Sequence, residues 1–249
     1  MEWRLKILLA TLVLAPLKAL AGPPFITDDP LPVEYRHIQI IPYAAAVQTK
    51  FGWITNSPGL EINYGLAPQL EVNTTLSYQH NYTDSSNPDV IETARGVGDT
   101  QVGLKYAFVT ETATRPQIAF APIYFIPTGN AKNTTGNGKS WTVLPIWLQK
   151  SWGEWTCYGG GGYALNSGTF MRNYYLGGIV LQKHLNDKWL LGGELFSQTA
   201  SSHFIGPFTL LNVGGNYIFT SSLQALFSIG HSITGAKVLT TYLGLQWNP

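Results

Sequence analysis

The chain has 249 residues with 15 Lys and Arg against 14 Asp and Glu, and only 12% of it is charged beside 13% aromatic and 26 glycines. So even a balance offers no strongly basic face for nucleic acid. One cysteine, Cys157, excludes a disulfide framework, and five scattered histidines lack any metal-ligand spacing, so neither metal nor cofactor is expected.

Residues 1–21 read as an export signal. Arg4 and Lys6 give a positive start, residues 8–15 a short apolar core, and Ala19-Leu20-Ala21 a small-x-small cleavage site. The apolar run is shorter than the roughly twenty residues of a spanning anchor. Without this segment the balance is 12 basic to 13 acidic residues. The next segment, 22–36, is rich in proline and carries Asp28-Asp29 before Pro30, so it is no central strand. It reads either as a periplasmic tether or as a plug or partner contact.

From residue 37 to 249 the pattern changes to stretches of about ten residues with period two, separated by turn signals. In 70–79, Leu70, Val72, Thr74, Leu76 and Tyr78 oppose Glu71, Asn73, Thr75, Ser77 and Gln79. Twelve strands are expected, at 37–47, 58–65, 70–79, 98–108, 116–126, 140–151, 155–164, 173–184, 188–198, 208–219, 223–231 and 238–247. Strands 116–126 and 140–151 are apolar on both faces, which hides their inward side. Short connections (66–69, 109–115, 152–154, 185–187, 220–222) alternate with longer polar ones (48–57, 80–97, 127–139, 165–172, 199–207, 232–237).

Alternating short and long connections, low charge and no apolar run of eighteen after residue 21 predict an all-β transmembrane antiparallel β-barrel of about twelve strands. Trp152, Trp155, Trp189, Phe219 and Trp247 near the short turns, and Tyr78, Trp141, Tyr174 and Phe208 near the long loops, suit aromatic belts. A soluble β-sandwich or lipocalin-like barrel would alternate in the same way with its apolar face turned inward. The expected surroundings are therefore the cell outer membrane and its lipid. The alternating end Tyr242 to Trp247 resembles a closing strand read by the barrel-assembly machinery.

Four segments carry a family resemblance: Gly22 to Pro30, Gly98-Asp99-Thr100 with the strand to Tyr106, Pro127-Thr128-Gly129, and Tyr158 to Tyr163 with its four glycines. Together they resemble the outer-membrane transporter family associated with the MetA pathway of phenol degradation. The resemblance implies an outer-membrane barrel that passes small hydrophobic or aromatic compounds, with no catalytic motif to carry over.

On the predicted inward face lie Glu61, Asn63, Glu71, Asn73, Gln101, Lys105, Glu194, Asn212, Asn216, Gln224 and Gln246. Amides with a few charges suit a wet pore or ligand-lining wall, and suit equally a network that fills a narrow interior. Glycines 159–162 lack the Lys-Ser/Thr and the helix of a phosphate loop and read as close packing within a strand. A hydrolase would need Ser, His and an orienting group on one face. His231 and Ser232 are adjacent and point to opposite faces, while His80, Asp84 and His203 show no site spacing. The expected function is a non-enzymatic passive channel or uptake protein for small compounds. A structural or surface-interaction barrel is the alternative, with a lipid-modifying enzyme behind it.

Overall fold

A computed structural model describes residues 24–83 and 93–249. The expected signal segment 1–21 and part of the expected loop 80–97 lie outside them.

Among the described residues, fourteen strand segments form one sheet: β1 (Ile38–Thr49), β2 (Gly52–Ala67), β3 (Leu70–Thr83), β4 (Thr93–Val97), β5 (Thr100–Val109), β6 (Gln117–Phe120), β7 (Ile123–Ile126), β8 (Trp141–Trp152), β9 (Trp155–Asn166), β10 (Tyr174–His184), β11 (Trp189–Gln198), β12 (Phe208–Thr220), β13 (Leu223–Gly235) and β14 (Val238–Trp247). Every neighbouring pair is antiparallel, and β1 pairs with β14, which closes the sheet on itself. β4 and β5 both pair with β3, and β6 and β7 both lie between β5 and β8, so the fourteen segments make twelve staves. Pro122, which has no N–H, sits in the break between β6 and β7. The ladder carries on across that break because Leu104 N–H donates to the Pro122 carbonyl at 3.0 Å and Ala121 N–H to the Pro145 carbonyl at 3.1 Å.

The period of two settles which face is which. On β5, Val102, Leu104, Tyr106 and Phe108 are exposed while Lys105 and Ala107 are buried. On β8, whose faces sequence alone left ambiguous, Leu144, Ile146 and Leu148 point out, while Val143, Trp147 and Gln149 are buried. On β6 it is Gln117 and Ala119 that turn inward. The apolar residues thus form the outer band of a closed barrel, the reverse of a soluble β-sandwich or lipocalin. Such a surface is stable against hydrocarbon, where a closed ladder leaves no backbone group unpaired.

Three connections differ from expectation: within the loop expected at 80–97, β3 continues to Thr83 and β4 pairs back on it. Residues 48–57 and 232–237 were expected as longer loops, but β1 and β2 pair down to Thr49↔Gly52, and β13 runs to Gly235 before β14 begins at Val238. Asn56, Ser57, Ser232 and Thr234 look like loop residues because a ladder that continues past the hydrocarbon needs no apolar face. Trp152, Trp155, Trp189, Phe219 and Trp247 are exposed at the short-turn end. Phe208, expected in the opposite belt, is buried in the interior.

Candidate passage through the barrel

Residues 24–34 run inside the barrel as a strap that touches one wall and then the other. The strap leaves the short-turn rim where Tyr35 bridges Gly65 and Arg36 N–H donates to the Gly65 carbonyl at 2.8 Å. Any side chain at position 65 would run into the Glu34 and Val33 backbone, so this entry requires glycine. Val33 N–H then donates to Glu71 on β3 at 2.8 Å, and the Pro30 carbonyl accepts from Gln117 on β6 at 3.2 Å. Asp28 pairs with Lys105 on β5 at 3.0 Å. Beyond it, Thr27 and Ile26 N–H groups donate to the two oxygens of Glu194 on β11 at 2.6 and 3.2 Å. Finally the Pro24 carbonyl accepts from Ser228 on β13 at 2.7 Å. Thr27 lies against Gly178, the second place where a side chain on the wall would clash with the strap.

Proline makes this segment suited to crossing a lumen. Pro24, Pro30 and Pro32 withhold the N–H groups a strand ladder would use; Ile26, Thr27 and Val33 N–H find wall carboxylates instead, and Asp29 and Leu31 N–H donate to the strap's own Asp28 and Asp29. Charge-assisted bonds of this kind are the stronger sort. Phe25 adds an apolar foot, buried with Tyr158 and Val180. Asp29 is fully buried, and its carboxylate accepts Leu31 N–H at 2.7 Å.

The strap gathers Glu71, Lys105 and Glu194, and Asn212 joins them by donating to Glu194 at 2.9 Å. The other predicted inward residues bond among the wall side chains. Asn63 donates to Glu61 and Gln39, both at 2.8 Å, and Asn73 donates to Glu71 at 3.1 Å. Asn216 donates to Gln224 at 3.3 Å, and Gln246 donates to Asn248 at 3.4 Å near the short-turn rim. Gln101 faces the interior half-buried, and its own carbonyl accepts from Thr74. Sequence reasoning missed Gln117, since its strand is apolar on both faces, and missed the partners of Asp28 because no local pattern links residue 28 to residue 105.

At the long-loop end a second segment folds inward. Asp99 accepts Gly129 N–H at 3.0 Å and Asn137 N–H at 2.7 Å, while the Thr128 hydroxyl joins Thr100 and Gly98. Two of the motifs that carried the family resemblance therefore meet to anchor loop 127–139. Its Thr134 carbonyl accepts from Asn81 on β3 at 2.6 Å, and its Asn137 donates to Asn166 on β9 at 2.9 Å. At the same end, Phe196, Phe208, Leu210 and Val238 form a buried apolar cluster on the inner wall, with Val47, Leu176 and Ala236 against it. His231 is exposed on the outer face, whereas the Ser232 hydroxyl accepts Val238 N–H at 3.0 Å, so the two do not meet.

A twelve-stave barrel with a lipid-facing apolar band and a polar interior crossed by its own chain is an outer-membrane barrel. More narrowly, the chain belongs to the family described as "Putative MetA-pathway of phenol degradation", whose model matches residues 50–247. The fold is similar to that of an outer-membrane channel from Pseudomonas putida F1, at 15% identity and a TM-score of 0.68 over 92% of this chain and 99% of that one. It is also similar to the translocator domain of the autotransporter NalP from Neisseria meningitidis, at 12% identity and TM-score 0.56 over 85% and 88% of the two chains. The NanC porin matches at 8% identity and TM-score 0.57, over 84% and 98%. No curated protein matches the sequence.

Proposed function

We propose that the barrel is a passive channel through which small molecules, apolar and aromatic compounds among them, cross the outer membrane. The observation that carries this reading is the way the interior is filled. Two segments of the chain, the strap 24–34 and the loop 127–139, hang from the rims into it and hold the wall by hydrogen bonds and one ion pair. Contacts of this kind release and re-form without breaking a stave. The similar Pseudomonas structure is described as an outer-membrane channel, and NanC as a porin. Terminal strand β14 is the segment we assign to recognition by the assembly machinery.

The test is solute entry into proteoliposomes holding the intact chain, followed by swelling in a small neutral sugar. Swelling above that of empty liposomes is expected, and equal rates would contradict the proposal. A surface-interaction barrel without transport is the second reading, favoured by how fully side chains such as Leu210 and Glu194 are buried. It predicts no flux even when the strap is removed.

A further inference from the structure

Three connections meet on the long-loop rim and enclose a cleft of about 330 Å³. They are the β1–β2 turn with Lys50 and Phe51, the loop 199–207 with Phe204 and Pro207, and the β13–β14 turn with Lys237. The volume lies at the lower end of the usual range for small-molecule sites.

The walls are aromatic. Phe51 and Phe204 meet edge to face with centroids 6.5 Å apart, and Phe170 packs against Phe204 at 5.4 Å. Phe51 and Phe204 remain 40% and 57% exposed, so their ring surface is available to a visitor. The charge is of one sign. Lys50 and Lys237 both line the cleft, with Lys50 Nζ 4.7 Å from the centre of the Phe51 ring. Arg172, whose guanidinium lies 3.4 Å from His203 Nδ1, stands on the neighbouring loop. Residues 48–57, 165–173, 199–207 and 232–241 contain no Asp or Glu. Ala236 lines the cleft and also packs on the buried cluster of Phe196, Phe208, Leu210 and Val238 on the inner wall.

We infer that this cleft is an entry site for small aromatic acids, taken as their carboxylates. An aromatic ring stacks or meets edge-on with Phe51 and Phe204, and its carboxylate lies between the two ammonium groups. A neutral ring gains only the first contact and an inorganic anion only the second. The inference deepens the channel reading and rests on it by naming an anionic aromatic class and the place where it is first held.

Benzoate is the probe, with benzyl alcohol as the neutral ring and acetate as the anion without one. Binding to the purified full chain in detergent is followed by saturation-transfer NMR. Benzoate is expected to bind saturably and more tightly than either control, and to weaken as salt is added. Exposed ion pairs each contribute a factor of about two to five, so K50Q combined with K237Q is expected to weaken benzoate roughly tenfold and leave benzyl alcohol unchanged. F204A is expected to weaken both ring compounds. All three positions are in exposed turns, and unchanged heat-modifiable gel mobility verifies that the variants still fold. Equal benzoate binding by wild type and the double lysine variant would overturn the inference, whether or not the barrel conducts. So would loss of benzoate when lipopolysaccharide is added if the lysine variant no longer binds that lipid, since the cleft would then be a lipid phosphate site. Absence of sugar-driven swelling, by contrast, strikes the channel reading and leaves the binding result standing.

Discussion

The short-turn and long-loop halves of the interior hang on the same alternating strands, yet they are filled by opposite means. In the short-turn half the wall presents Glu71, Lys105, Gln117 and Glu194, and a strap of the same chain supplies the backbone groups and the carboxylate they need. In the long-loop half Phe196, Phe208, Leu210 and Val238 close on one another and on Val47, Leu176 and Ala236. Apolar side chains at inward positions satisfy themselves by contact, whereas inward charges must find a partner or forfeit several kcal/mol. The comparison teaches that the strap belongs to the polar half as part of its wall. Disturbing the apolar half should cost stability without freeing the strap, and disturbing the polar half should free it.

The largest expected effect is in the apolar half. Leu210 is fully buried, and Leu210→Ala should cost about 3 kcal/mol through lost contact and the cavity left behind. It would appear as a lower temperature for the heat-modifiable gel shift, with no faster labelling of a strap cysteine. Next comes Lys105→Ala. Its ammonium is nearly buried but Asp28 is about a third exposed, so the loss in strap seating should be about 2 kcal/mol, below that of a fully buried pair. An impermeant thiol reagent should then label a Thr27→Cys reporter roughly thirtyfold faster than in the parent barrel. Unchanged labelling would separate the ion pair from strap retention. Glu194→Gln is the mildest. One carbonyl oxygen still accepts from the strap, so about 1 kcal/mol and a roughly fivefold faster labelling are expected. A Leu210→Ala variant that labels as fast as Lys105→Ala would erase the distinction between the halves.

Much of the barrel was legible because lipid on one side and polar groups on the other force a period of two on each strand, as in Val102 to Phe108 and Leu70 to Gln79. Most of the twelve staves show it, while 116–126 and 140–151 are apolar on both faces and do not. The pattern fails where its cause ends. Beyond the hydrocarbon, Asn56, Ser232 and Thr234 stay in the ladder without any apolar alternation to announce them. Inside, Phe208 and Leu210 are apolar on the inward face, which the lipid rule alone does not anticipate. The strap shows a similar limit. Its prolines announce that 22–36 is no central strand, yet the pairing of Asp28 with Lys105 and of Thr27 with Glu194 spans 77 and 167 residues. Only the closed fold brings such groups together.

The most direct test of the account is single-channel recording in planar bilayers, comparing the intact chain with one from which residues 24–34 are deleted while residues 1–23 and 35–249 are kept. A barrel whose polar half is spanned by a removable strap should show small, fluctuating steps when intact and larger, steadier ones after the deletion. Identical recordings from the two, or a deleted barrel that is folded by gel mobility yet never conducts, would contradict it.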